Sequence, residues 1–265
     1  MTSSKNSKPN SVLPVSDIPL ARKSAAILGE VLAEIVAAVK PGVKFEELEA
    51  IAQRELKKRG AQTSFTTVDD YKWATCITKN DGCCHGIPVG KTVEDGDLIT
   101  IDVGALYQGY HSDTSYTVQA GTKTKDRQKF LEVGKASLEA ALQRVTPGNS
   151  IYMVSRAMQE VLEKAGYRAV YQLTGHGLGK VLHQEPNIPC YADERSKKDI
   201  IEENQLLAIE VMYAEGNPRL VLDKDGWTYK TADGSLTGMF EKTVLVTRGL
   251  PEVLTRFPLE KGQAF

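Results

Sequence analysis

Five side chains in this sequence have the types and surroundings that metal-assisted hydrolysis needs. Asp102 stands inside the apolar run Leu98 to Val103, and Asp113 follows eleven residues later in His111-Ser112-Asp113. Glu210 lies in the apolar run Leu206 to Met212, and Glu241 just precedes the β-prone stretch Thr243 to Val246. His176 is framed by glycines in Gly175-His176-Gly177-Leu178-Gly179. A carboxylate in an apolar strand is costly to bury unless it is paired or binds a cation. Four carboxylates and one imidazole, with no thiolate among them, form a hard donor set suited to Mn, Fe, Co or Zn. With bridging carboxylates, such a set is enough for two ions about 3.5–4 Å apart, which polarise a carbonyl and make hydroxide available near neutral pH. No Gly-rich phosphate loop or dinucleotide fingerprint accompanies them, which favours hydrolysis over redox chemistry. Taken singly, each group has a plainer reading: aspartates satisfied by backbone donors at a turn, a structural histidine in a glycine loop, glutamates in buried ion pairs.

The elements that must carry these groups are legible from periodicity. Leu98 to Val103 and Thr114 to Gln119 read as strands of a hairpin turning at Tyr107-Gln108-Gly109, which brings Asp102 and Asp113 to one point. Thr63 to Val68 and Ala74 to Thr78 are also β-prone. Upstream, Ile27, Leu28, Val31, Leu32, Ile35 and Val36 recur at helical spacing until Pro41-Gly42, and a second helix is predicted from Phe45 to Lys58 with Gly60 as its stop. Helices are predicted again over about 125–143 and 151–164, separated by Pro147-Gly148 and ended near Gly166, before strands over 206–212 and 243–246. A shift of 106 residues places Pro41-Gly42, Gln53, Leu56, Lys58 and Gly60 on Pro147-Gly148, Gln159, Leu162, Lys164 and Gly166, six identities over twenty positions. An internal duplication follows from that coincidence of breaker, helix and terminal glycine. The expectation is an α/β (strictly α+β) architecture. Two helix–helix–antiparallel-sheet units, about 18–121 and 122–256, lie side by side in one domain over 18–265, with the ligand site between the halves. Residues 1–17 begin with a Ser-, Lys-, Asn- and Pro-rich stretch and are expected to be a flexible tail.

Composition narrows the classes. The chain has 265 residues, 33 basic and 34 acidic, for a formal net charge of −1. That balance argues against nucleic-acid binding, which needs a basic surface to displace counterions. No run approaches the ~20 apolar residues of a membrane span, and the polar N-terminus has no apolar core of a secretory signal. Four cysteines are too few for a disulfide scaffold. Reduced thiols and a cytoplasmic location are the simplest expectation. Histidine is equally scarce: His85, His111, His176 and His183 are the full set, all within or beside the proposed site in sequence.

The motifs, in their order and spacing, resemble those of the pita-bread metallopeptidases: Asp102 with Asp113, the Gly-His-Gly-Leu-Gly loop, His183-Gln184-Glu185-Pro186, Glu210 and Glu241. Cys84-His85-Gly86-Ile87-Pro88, and Asp225-Gly226-Trp227-Thr228 through Asp233-Gly234-Ser235-Leu236, are similar to the type I methionine aminopeptidases in particular. The resemblance covers about residues 18 to 256. It implies a pseudo-two-fold sandwich and two divalent ions held by Asp102, Asp113, His176, Glu210 and Glu241, with Asp113 and Glu241 bridging. It implies that Glu210 also assists deprotonation of the bridging water, and that His85 and His183 contact the substrate and stabilise developing charge. Tyr71, Cys76 and Trp227 fall where the family lines its methionine pocket; core packing is the plainer reading for Cys76 and Trp227. The implied substrate is the initiator methionine of nascent chains with a small second residue. Ribosome proximity is implied only at the level of the family, and a monomer is the default.

The sequence departs from the family pattern at Lys72, where proline is usual, at Gly104 for a common threonine, at Leu182 for phenylalanine, at Val211 for proline and at Lys242 for histidine. None removes a ligand; their reach is side-chain selectivity and metal tuning. Gly104-Ala105 and Gly109-Tyr110-His111-Ser112-Asp113 also resemble the Xaa-Pro peptidases of the superfamily, but Met239 stands where that branch carries arginine. An Xaa-Pro peptidase is therefore the alternative enzyme. A metal-free adaptor is the alternative of another class, disfavoured because all five ligands are present.

Overall fold

The computed structural model describes residues 10–256. Helices α1 (Ile18–Ala37) and α2 (Phe45–Lys58) precede strands β1 (Gln62–Thr63), β2 (Thr75–Lys79), β3 (Gly82–Cys84), β4 (Leu98–Tyr107) and β5 (Tyr110–Gln119). Helices α3 (Lys125–Leu142) and α4 (Ile151–Lys164) precede β6 (Arg168–Ala169), β7 (Thr174–Gly177), β8 (Gln184–Pro189), β9 (Leu206–Ala214), β10 (Leu220–Leu222), β11 (Tyr229–Thr231), β12 (Thr237–Leu245) and β13 (Glu252–Val253). The expected mixed fold with antiparallel sheets is what forms. In the first sheet β4 pairs with β5 on one edge and with β1 and β2 on the other. In the second, β9 pairs with β12 on one edge and with β6 and β7 on the other. A small third sheet joins β10, β11 and β3.

The same backbone devices recur 106 residues apart. Gly42 (φ 92°) and Gly148 (φ 84°) adopt left-handed turns ahead of α2 and α4, a conformation glycine takes without steric cost. The Gly42 N–H donates to Val93 O at 2.8 Å, and that of Gly148 to Ile201 O at 2.9 Å. The Phe45 N–H donates to Lys91 O and the Ile151 N–H to Asp199 O. Gly60 (φ 74°) and Gly166 (φ 88°) then end the two helices.

Packing explains which strand faces meet. Apolar stripes of α1, including Leu28, Val31, Leu32 and Ile35, are fully buried, as are Ile151, Val154, Met158 and Leu162 of α4. Tyr213 of β9 is a pin: its hydroxyl donates to Phe130 O of α3 at 2.7 Å. Its ring fills the space that a Cβ on Gly134 or Gly238 would need, at 2.3–2.8 Å. The two sheets meet where β5 passes β12, and threonines stitch the seam. Thr243 Oγ1 accepts from the Asp113 N–H at 2.9 Å and donates to Asp113 O at 2.7 Å. Thr117 Oγ1 makes the equivalent pair with Met239, and Thr114 Oγ1 donates to Glu241 O at 2.8 Å.

Three sequence expectations change. The stretch 63–68 is not a strand beyond Thr63; a 3₁₀ turn spans Phe65–Thr67. There Thr67 Oγ1 donates to Ser64 O at 2.7 Å and Ser64 Oγ meets His111 Nδ1 at 2.7 Å, side-chain bonds that compete with a strand ladder. The hairpin is longer than 98–103 and 114–119, its strands running to Tyr107 and from Tyr110 around Gln108-Gly109. The polar start of β5 hid it, yet it is buried because His111 bonds Ser64, and Ser112 Oγ meets Ser24 Oγ at 2.9 Å. Finally, the flexible-tail expectation for 1–17 is corrected over 10–17; residues 1–9 lie outside the described residues, as do 257–265. Asn10 and Val12 bridge to Glu185 and Gln205, the Leu206 N–H donates to Ser11 O, and Leu13 is buried. The edge strand β8 and the start of β9 take up the backbone groups of this segment.

Candidate metal centre

The site residues line up across neighbouring strands because each sheet places register partners on one face. In the first sheet Cys76 of β2 lies opposite Asp102 of β4, and Asp113 of β5 lies opposite Gly104, one diagonal step from Asp102. In the second, Glu241 of β12 lies directly opposite Glu210 of β9, and His176 of β7 lies opposite Ala208, a diagonal step from Glu210. The threonine seam joins the two rows between Asp113 and Glu241. Ligand atoms of Asp113, His176 and Glu241 fall within 4.8 Å of one another. His176 Nε2 is 3.8 Å from Asp113 Oδ2. Asp102 and Glu210 line the same cavity as these three. All five are buried.

Their chemistry fits cations. Burial pushes the Asp102 carboxyl up to about 7. It pushes Glu210 to about 8, with the charge of Asp102 adding to the shift. Burial first, then the neighbouring carboxylates, drives Asp113 and Glu241 well above the usual carboxylate range. Asp102 Oδ1 and Asp113 Oδ1 are buried with no hydrogen-bond partner. Four buried acids repelling one another, two with orphaned oxygens, are expensive unless positive charge is shared among them. His176 is prepared for the same role. Its Nδ1 is 3.0 Å from Gly177 O, which can only accept, so Nδ1 carries the proton and Nε2 presents its lone pair toward Asp113.

The glycines around His176 are there for proximity. A Cβ on Gly175 would lie 2.6 Å from Ala208 O and 3.2 Å from Glu210 Cγ, and one on Gly177 would lie 2.2 Å from Glu185 O. Gly175→Ala is therefore expected to force β7 away from β9 and to separate His176 from Glu210. A titration with Mn(II) or Co(II) should register metal affinity about 10–100-fold weaker.

A cavity of about 270 Å³ opens above the carboxylates. Its apolar wall gathers Phe65, Tyr71, Cys76 and Leu182, with Val68 and Trp227 packed against them. Tyr71 stands edge-on to Trp227, ring centres 5.0 Å apart, and to Trp73 at 5.2 Å. Its hydroxyl donates to Thr75 O at 2.8 Å. His85 and His183 line the cavity and keep solvent access. His85 has a left-handed backbone (φ 54°), a costly conformation for a non-glycine residue that is concentrated at functional sites. Desolvation lowers the pKa of its ring, favouring the neutral form. The His183 ring stacks edge-on to His176 at 4.6 Å.

All ten residues singled out by sequence, including Tyr71, Cys76 and Trp227, line this one cavity. His111 does not; it is buried beside Ser64, its pKa pushed down to about 4 by desolvation. Sequence reasoning missed Phe65, Val68, Gln172, Leu173, Thr174, Asn187, Met212 and Met239 among the lining. Of the departures, Leu182 lines the cavity and Gly104 lies beneath it: a Cβ there would sit 2.7 Å from both the Phe65 ring and Ser64 Cβ. Lys72 is exposed, whereas Val211 and Lys242 are buried on strand positions alternate to Glu210 and Glu241.

Comparison with known proteins agrees with this geometry. Residues 19–248 match the model of metallopeptidase family M24. The methionine aminopeptidase of Aquifex aeolicus is 39% identical over 247 residues, covering 90% of this chain and 96% of that protein. Methionine aminopeptidase 1 of Bacillus subtilis is 35% identical over 240 residues, 91% of this chain and 96% of that one. The crystal structure of methionine aminopeptidase from Thermotoga maritima superposes with a TM-score of 0.90 at 32% identity, over 94% of this chain and 100% of that one. With a family match running through both sheets, and the pita-bread fold shared with its relatives, the chain belongs to metallopeptidase family M24.

Proposed function

We propose that this protein is a methionine aminopeptidase that removes the initiator methionine from chains with a small second residue. The observation that carries this reading is the cluster of Asp113, His176 and Glu241 at the foot of a cavity walled by Phe65, Tyr71, Cys76 and Leu182. An apolar wall with sulfur and aromatic edges suits an unbranched thioether. Asp102, Asp113, His176, Glu210 and Glu241 would hold two divalent ions, drawn from Co, Mn, Fe and Zn. Bound there, the ions would polarise the scissile carbonyl and supply hydroxide near neutral pH. Glu210 would accept the proton given up by the attacking water and pass it to the leaving amine. His85, held neutral by desolvation, and His183 would each donate a hydrogen bond toward the oxygen on which charge develops. Tyr71, Cys76 and Trp227 would hold the methionine side chain and exclude water around it.

The element order and the shared turns 106 residues apart support a duplicated single domain from residue 18 onward. Further parts of the proposal are a cytoplasmic monomer that works near the ribosome and has no affinity for nucleic acid or membrane.

The test is a peptide panel on protein stripped of metal, with each cation restored in turn. Release of methionine from Met-Ala and Met-Gly peptides, dependent on added metal, is expected. Faster release from Xaa-Pro peptides would reassign the chain to the proline-specific branch. No bound metal and no restored hydrolysis would favour an adaptor.

A further inference from the structure

Glu49 is a buried carboxylate on α2, outside the cavity lining. Its Oε1 accepts from the Ala74 N–H at 2.8 Å and from Gln53 Nε2 at 2.6 Å. Its Oε2 accepts from the Thr75 N–H at 3.0 Å and from Thr75 Oγ1 at 2.5 Å. Three of these four donors belong to the two residues that lead into Cys76. From the other side, the Tyr71 hydroxyl donates to Thr75 O at 2.8 Å and reaches Gly86 O at 3.3 Å. Residue 75 is thus held through its N–H by Glu49 and through its carbonyl by Tyr71. The next residue, Cys76, lies opposite Asp102. One carboxylate on a helix therefore fixes the short segment that joins Tyr71 to Cys76.

We propose that Glu49 is a positioning residue for substrate selection: from behind the cavity it holds the wall made by Tyr71 and Cys76, and so sets affinity for the substrate's side chain. The inference rests on the aminopeptidase reading of that cavity. Hydrogen bonds to an ionised acceptor are strong and directional. A buried N–H that loses its acceptor must find another or move toward water. With a neutral amide in place of the carboxylate, the N–H groups of residues 74 and 75 and the Thr75 hydroxyl no longer all find an acceptor. Residues 71–76 then shift as a unit. No metal-ligand side chain bonds Glu49, and measuring bound metal separates an effect on the wall from one on Asp102, which lies opposite Cys76. Side-chain binding counts equally in ground and transition states, so its loss falls on KM rather than kcat. Loss of apolar contact equivalent to about one methylene in such a pocket costs roughly 10–200-fold.

The experiment compares wild type, Glu49→Gln and Thr75→Val with full metal loading. It reads kcat and KM on a Met-Ala peptide, the inhibition constant of free L-methionine, bound metal and melting temperature. Glu49→Gln is expected to raise KM and the L-methionine inhibition constant about tenfold or more, with kcat within about threefold and metal stoichiometry unchanged. Thr75→Val keeps both backbone bonds, loses one hydroxyl and should shift the same two constants less. If Glu49→Gln does not fold, Thr75→Val decides the matter alone: a weaker L-methionine constant supports the role and an unchanged one overturns it. A lower melting temperature with unaltered KM and inhibition constant makes Glu49 merely structural, and a loss that tracks bound metal makes it a support of the metal centre; either overturns the proposal. A wild type that releases no methionine rejects the peptidase reading itself, whereas an active wild type matched by both variants rejects only the role of Glu49.

Discussion

Glu210→Gln is expected to lower kcat by about 10²–10⁴-fold, the usual contribution of a positioned general base, in a protein that folds normally. Glutamine keeps the volume and one acceptor oxygen, so the packing beneath Gly175 is preserved; what it loses is the ability to take a proton. Burial and the charge of Asp102 raise Glu210 to about 8, well placed for proton exchange near neutral pH. Bound cations would pull that value down again. Because Glu210 also faces Glu241 across β9 and β12, its substitution weakens the ligand set as well. Bound metal must therefore be measured beside turnover. With metal at saturation, kcat should stay low. Recovery of near-normal turnover on adding excess metal would reduce Glu210 to a ligand, and near-normal turnover at ordinary metal would remove it from the mechanism. Glu241→Gln is the contrast: it lacks the proton-relay role, so its loss should follow occupancy.

Much of this site was legible because acids in apolar strands are rare and costly. Asp102, Glu210 and Glu241 stood out for that reason, and the strand period then fixed that they share a face with their register partners. His176 stood out through its glycines, whose reason is now visible as backbone approach to Ala208 O and Glu185 O. The pocket was legible only where the family resemblance reached it. Phe65 and Val68 lie in a stretch of threonines that local propensity reads as strand. A 3₁₀ turn forms instead, because Ser64 and Thr67 spend their hydroxyls on His111 and on the backbone. Met212 and Met239 look like ordinary core residues of β9 and β12, and no periodicity separates a cavity-facing methionine from a buried one. The threonine seam was invisible for a different reason. Thr117 and Thr243 bond strands 122 and 130 residues away in sequence, and no local pattern encodes which two sheet edges will meet.

Gly104 illustrates how a departure becomes intelligible only in three dimensions. By sequence it is a missing threonine near a ligand. In the fold it is the floor on which Phe65 and Ser64 rest, each within 2.7 Å of where a Cβ would be. The smaller residue and the inward phenylalanine belong together: the space a Cβ on Gly104 would need is occupied by the Phe65 ring, which lines the cavity. Leu182, smaller than the phenylalanine common in the family, lies against that same wall. Phe65 and Leu182 thus belong to one apolar wall of the cavity, with the ring of Phe65 seated over Gly104.

The metal-free protein should lose stability as pH rises, and metal should reverse the trend. Asp102 goes from 3.8 to about 7 and Glu210 from 4.5 to about 8, with Asp113 and Glu241 raised further, all chiefly by burial. A group whose folded pKa is raised keeps its proton in the native state after the unfolded chain has released it. Its stabilising contribution is complete below about pH 4 and fades until the folded pKa is passed. For Asp102 and Glu210 the fall therefore lies between about pH 4 and 8, and Asp113 and Glu241 extend it upward. His111, depressed to about 4, and His85, also lowered by desolvation, act in the opposite sense below their unfolded value of 6.5, but they are two groups against four. Each unit of displacement corresponds to about 1.4 kcal/mol. At roughly 2–4 °C per kcal/mol for a chain of this size, a drop on the order of 10 °C in melting temperature is expected between pH 5.5 and 8.5. Saturating Mn(II) or Co(II) should remove most of that slope, because ions take the place of the protons and binding releases them. Calorimetric titration in two buffers of different ionisation enthalpy counts the protons released per ion; that number should be above one near pH 6.5 and decline by pH 8.5. A metal-free melting temperature that rises steadily over this range, or binding without proton release, would mean that the carboxylates are already ionised and that some other positive charge balances them.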